Sequence, residues 1–225
     1  MPVVVSFVSQ KGGVGKSTLA RALLAVAGHG MRCRLADLDP QQASVTEWER
    51  ARQRTGSGAE CEVIAYKTPE QAIADGREMD LLIIDAPAGA SPDTLRIAQR
   101  SHLVVQPTGA SLDDLRPAIL TFHELVKAGI HRERLAMAIC RVLSAGEETR
   151  TRQAIQQAGY EALAGAIPER IAYREAQDRG QAITETQNAK LNERADALIE
   201  ALLRKVAQEV KRMQAARPNQ AGRGR

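Results

Sequence analysis

The segment Gln10-Lys11-Gly12-Gly13-Val14-Gly15-Lys16-Ser17-Thr18 constrains this chain more than any other. It follows a β-branched run at residues 3–8. It leads into residues 17–27, whose apolar positions recur at helical spacing. A glycine-rich loop between a strand and a helix lets the backbone wrap closely around a ligand, so that successive N–H groups point at phosphate oxygens. The dipole of the following helix adds to that field. Gly12, Gly13, Val14 and Gly15 form the expected backbone cradle, with Thr18 closing it. The Lys16 ammonium is expected to reach the β- and γ-phosphates, and the Ser17 hydroxyl suits a Mg2+ ion. Three glycines and two lysines at fixed places in this context are poorly explained as a surface turn.

The rest of the chain alternates short apolar runs with helical patterns. Strands are expected near residues 3–8, 33–36, 61–66, 81–84, 103–106, 135–140 and 162–167, the last stopped by Pro168. Helices are expected near 17–27, 43–54, 69–76, 112–128, 147–158 and 188–213. Such alternation predicts an α/β fold: a doubly wound, mostly parallel sheet with helices on both faces. No repeat or internal linker divides it. One domain is therefore expected over residues 1–213, ending in a long helix whose apolar stripe docks on the body. Residues 214–225 read as a basic, disordered tail.

Composition removes several function classes. Aromatic residues make up only 3% of the chain, too few for platforms that stack nucleobases. Cys33, Cys61 and Cys140 form no C-x-x-C pair, and His29, His102, His123 and His131 form no ligand pair. A disulfide scaffold and a zinc or histidine metal site are thereby disfavoured, and a reducing cytoplasm fits. No apolar run is long enough to span a membrane, and the N-terminus lacks the features of a signal peptide. The formal charge of +4 is uneven: residues 204–225 carry +6, and the remainder −2. A tail of that kind meets nucleic acid or an anionic surface, or serves only solubility.

A second acidic feature is Leu81-Leu82-Ile83-Ile84-Asp85, an apolar strand that delivers a carboxylate at its C-terminal end. Ligands bind at that edge of open parallel sheets, so Asp85 is a candidate to hold Mg2+.

The loop departs from the ordinary phosphate loop, since Gln10 stands where the first glycine would be and Lys11 follows directly. This K-G-G-x-G-K-S form resembles the deviant Walker A loop of the ParA/MinD family of ATPases. The resemblance extends through Asp37-Leu38-Asp39-Pro40-Gln41 and Asp85 over about residues 1–203. It implies a P-loop NTPase fold that uses ATP and Mg2+. It further implies that Lys11 contacts phosphate across a dimer interface, by the logic of an arginine finger. Asp39 takes the family role of orienting the attacking water, Asp37 supports the metal shell with Ser17 and Asp85, and Gly89 marks a hinge beside the γ-phosphate. Arg141 and Pro168 stand where relatives contact the nucleoside, although ordinary loop structure accounts for either.

Within the family, the resemblance is nearest to small plasmid partition ATPases without an N-terminal helix-turn-helix domain, for which the strand at Val3 leaves no room. That branch implies an ATP-dependent homodimer that binds DNA without sequence preference and hydrolyses ATP slowly. A centromere-binding partner of ParB or ParG type stimulates it, and the protein resides in the cytoplasm on the nucleoid. Candidate phosphate-contacting residues are Arg150, Arg152, Arg170, Arg174, Arg179, Arg194, Arg204, Lys205, Lys211 and Arg212, which also fit a mixed-charge solvated surface. The alternatives are a MinD-like membrane-associated positioning ATPase and an ATPase of conjugative DNA transfer. Stable membrane association is not expected, because the tail after Met213 has no Leu, Ile, Phe or Trp.

Overall fold

A computed structural model of the chain describes residues 2–39, 42, 44–56, 62–89 and 92–215. Eight strands form its sheet: β1 (Val3–Ser9), β2 (Cys33–Asp37), β3 (Glu62–Ala65), β4 (Leu81–Ala88), β5 (Leu103–Thr108), β6 (Leu135–Val142), β7 (Glu161–Ala162) and β8 (Ile167–Pro168). Their order is β3-β2-β4-β1-β5-β6-β7, with β8 beside the end of β6. Every pairing among the described residues is parallel. From β1 the chain crosses to β2 on one side, whereas from the adjacent β4 it crosses to β5 on the other, so the loop after β1 sits at a topological switch point.

The helices are α1 (Lys16–Ala27), α2 (Ser44–Thr55), α3 (Pro69–Asp75), α4 (Pro92–Arg100), α5 (Leu112–Lys127), α6 (Ala145–Gln157), α7 (Ile171–Asp178) and α8 (Ala189–Ala215). Side chains alternate across each strand, which divides the interior into two cores. Val5 and Phe7 of β1 pack with α1, α2 and α8 on one face. Val4 and Val8 pack with α4, α5 and α6 on the other. Ala195, Leu198, Leu202 and Val206 of the stripe predicted for the last helix enter the first core, and Ile199 joins them. Lys205 of that helix reaches Glu161 Oε2 at 2.8 Å and Glu209 Oε1 at 3.2 Å, which ties α8 to the sheet edge.

Four departures from the expectations follow. Helices α4 and α7 were not foreseen, because their apolar residues are few and lie among charges. The strand expected over 162–167 is instead two two-residue pieces. Arg152 draws the intervening backbone out of the sheet by donating to the carbonyls of Ala162, Leu163 and Gly165 at 3.1, 2.7 and 2.9 Å. Pro168 does not stop the strand but lies within β8, at the sheet margin where a missing N–H is tolerated. The last helix runs to Ala215, into the segment read as tail, and residues 216–225 lie outside the described residues. Among the described residues no helix is long and apolar enough to cross a membrane.

Candidate functional site

An open cleft of about 1140 Å3 lies at the C-terminal ends of the central strands. Gly15 closes the loop after β1 at φ 113°, a left-handed conformation that only glycine adopts readily, and caps α1. A Cβ there would also touch Cys140 Sγ at 3.4 Å. The turn aims the first amides of α1 into the cleft, a ready anion site. Lys16, Ser17 and Thr18 all line it. The Val14 side chain is buried, so Val14 can offer a ligand only its backbone. Burial lowers the Lys16 ammonium below its ordinary pKa, opposed by the charges of Asp85 and Asp39.

The acidic groups come from two adjacent strands in register. Asp37 of β2 pairs directly with Asp85 of β4, which sets the two carboxylates side by side at one level of the sheet. Asp37 is buried and accepts the Asp39 N–H at 2.9 Å through Oδ1. Burial raises its pKa. Asp85 is only 2% exposed and is pushed up to about 6, chiefly by burial, against a hydrogen bond with Ser17 and the charge of Lys16. Its Oδ1 is buried with no hydrogen-bond partner. An orphaned carboxylate oxygen beside a serine hydroxyl is a hard-oxygen donor set that suits Mg2+. Ser17 and Asp85 are therefore the residues that fit the ion, with Asp37 and Asp39 close behind. Asp39 lines the cleft, and Pro40 and Gln41 lie outside the described residues.

Lys11 is placed differently from Lys16. It does not line the cleft, and its side chain is 47% exposed. Its Nζ pairs with Asp114 Oδ1 at 2.5 Å, in the first turn of α5. Gly89 stands at φ 114° and donates its N–H to Ser9 O at 3.2 Å, which joins the end of β4 to the start of the phosphate loop.

Arg141 and Pro168 both line the cleft. Arg141 has φ 58°, a strained value for a residue with a side chain. Its Nη1 donates to Gly13 O at 3.1 Å and its Nε to Glu169 Oε2 at 2.8 Å. Arg141 thus braces the phosphate loop from outside, a contact that sequence alone did not reveal. Arg21, Ser44, Tyr173 and Gln177 also line the cleft and were not foreseen. For Arg21 a signal existed, since it follows Ser17 by four residues and shares its helical face.

The profile of the CobQ/CobB/MinD/ParA nucleotide binding domain matches residues 5–183. The chain belongs to this family. Maintenance of carboxysome distribution protein A of Gloeobacter kilaueensis is a relative, 27% identical over 215 residues that cover 94% of this chain and 95% of that protein. A plasmid partition protein of Borrelia burgdorferi B31 bound to AMPPNP superposes with a TM-score of 0.72 at 18% identity, covering 91% of this chain and all of that one. MinD of Pyrococcus horikoshii complexed with Mg-ADP gives 0.69 at 20% identity over 95% and 98% of the two chains. Those likenesses establish the P-loop α/β fold of the family's partition and cell-division members.

Proposed function

We propose that this chain is a Mg-ATP-dependent ATPase whose ATP-bound homodimer binds DNA without sequence preference and moves a plasmid along it. The placement of Lys11 carries this reading. A second loop lysine that faces away from its own cleft, exposed at its rim, is poised for the phosphates of a neighbouring copy. A cation delivered that way neutralises charge in the transition state, and hydrolysis becomes tied to dimerisation. Bound Mg2+ supplies charge neutralisation at the phosphates. Lys16 holds the β- and γ-oxygens, Ser17 and Asp85 hold the ion, and Asp39 orients the attacking water. Pro168 and Arg141 border the nucleoside.

Several of the candidate phosphate-contacting residues are engaged within the protein. Arg152 is spent on loop carbonyls, and Lys205 is buried in a pair of ion pairs. Arg212 is held by Glu209 at 2.8 Å and Arg174 by Glu169 at 2.6 Å. Arg150, Arg179 and Lys211 are exposed, and they join the basic tail as the groups we assign to DNA phosphates. The burial of the α8 stripe disfavours a membrane-bound form, because that face would have to leave the core first.

DNA binding by the Asp39→Ala variant, with ATP and with ADP across a salt series, tests the reading. Tight ATP-only binding to any duplex, weakening steeply with salt, is expected. Absence of binding in both states would remove DNA from the mechanism and leave the ATPase. A centromere-binding protein is the expected stimulating partner. The relative named for carboxysome distribution favours a second reading, in which the cargo is a protein body rather than a plasmid. Stimulation of turnover by a DNA-bound centromere protein separates the two.

A further inference from the structure

Arg21 is a buried cation of the cleft that no sequence motif accounts for. It lies on α1 one turn beyond Ser17. Its Nη2 donates to the Ser44 carbonyl at 2.6 Å, and its Nη1 donates to Gln177 Oε1 at 3.0 Å. The guanidinium carbon stands 5.8 Å from the centre of the Trp48 ring. Asp85 and Asp37 both act on it electrostatically, and its Nε is buried without a partner. One side chain on the phosphate helix therefore joins α2 and α7.

The consequence lies in what Ser44 begins. It is the first residue of α2, and the backbone from Asp39 runs into it within five residues. The far end of α2 is already docked. Trp48 Nε1 donates to Gln181 O at 3.0 Å, and Arg52 binds Gly180 O at 3.1 Å and Glu185 at 2.7 and 2.8 Å. Arg21 secures the near end. The Ser44 hydroxyl is thereby kept 3.5 Å from the Ser17 hydroxyl, on the metal side of the cleft.

We propose that Arg21 is a positioning residue for hydrolysis: by holding the first turn of α2 against α1, it keeps the Ser44 hydroxyl beside that of Ser17 in the cleft. This rests on the ATPase reading above. A methionine at this position keeps an unbranched apolar stem but loses both donors. A lysine keeps the charge but cannot serve two diverging acceptors at once.

The test compares the full-length wild type with Arg21→Met and Arg21→Lys in three measurements: equilibrium binding of a fluorescent ATP analogue with Mg2+, turnover, and amide hydrogen exchange with nucleotide bound. For Arg21→Met, affinity is expected to stay within about threefold while kcat falls about tenfold or more, with Arg21→Lys between the two. Exchange is expected to quicken at residues 44–48 and remain unchanged in α5. A merely structural residue would instead speed exchange throughout and reduce the bound fraction together with turnover. Wild-type exchange at 44–48 in Arg21→Met, or wild-type turnover per bound nucleotide, would overturn the proposal. If the wild type binds Mg-ATP but never turns it over, the ATPase reading fails, and exchange at 44–48 still decides whether Arg21 anchors α2. Should Arg21→Met not fold, Arg21→Lys carries the same comparison.

Discussion

Lys11 Nζ lies 2.5 Å from Asp114 Oδ1, so the first lysine of the phosphate loop rests on the start of α5 instead of in its own cleft. Gly109 makes room for that carboxylate, since a Cβ there would overlap it. Burial acts to raise Asp114, but hydrogen bonds from Lys11 and Ser111 outweigh it and hold the carboxyl below its ordinary range. Lys11→Ala is therefore expected to leave Mg-ATP binding by the monomer within about threefold and to abolish the ATP-dependent dimer. Light scattering after gel filtration reads both states, and a normal dimer would remove the cross-dimer role. Asp114→Ala should change stability by less than about 1 kcal/mol, because its partner Lys11 is half exposed and the pair is screened by solvent.

Asp39→Ala is expected to bind Mg-ATP and accumulate as the ATP dimer while turnover drops about a hundredfold or more. Single-turnover assays on the isolated dimer check this. Wild-type turnover would exclude Asp39 from water positioning.

Arg52 is 3% exposed and is clasped by both oxygens of Glu185. Glu185→Gln should destabilise the protein by about 3–5 kcal/mol, since a buried guanidinium loses its charge partner. Burial acts to raise the Glu185 carboxyl, but hydrogen bonds from Arg52 and the Ala182 N–H hold it below its ordinary 4.5. A carboxyl lowered in the folded state stabilises above its unfolded pKa and loses that contribution as pH falls through the folded value. Urea unfolding should show a constant gap between wild type and variant near neutrality that closes in acid. A gap independent of pH would contradict the pairing.

Gly180 stands at φ 74°, and a Cβ there would collide with the backbone of Arg52. Gly180→Ala should cost about 2–4 kcal/mol, combining backbone strain with a clash that no rotamer relieves. Gly129, at φ 93° with open space around it, is the control. Gly129→Ala should cost only the left-handed strain of about 1–2 kcal/mol. Equal losses at the two positions would show that α2 does not approach the Gly180 turn this closely.

Much of the centre of the fold was legible because it is local. The β-branched run, the glycines and the helical spacing after Lys16 lie within one continuous stretch, and each states its own conformation. The strand ends at Asp37 and Asp85 were readable for the same reason. Helices α4 and α7 were not, because each is short, of nine and eight residues, and its apolar residues lie among charges. The segment around Pro168 was misread because Arg152, on another helix, decides where its carbonyls point.

The sequence by itself determined that a phosphate-binding loop joins a buried strand to a helix, that Lys16 and Ser17 stand at that junction, and that acidic residues end two apolar strands. Those are consequences of backbone freedom and side-chain period over a few residues. Tertiary structure alone decided that Asp37 and Asp85 stand side by side, that Lys11 turns away onto Asp114, and that Arg21 binds α2 and α7 together. Each of those depends on strand order and on groups brought together from distant parts of the chain, and no local pattern of residues encodes such a meeting.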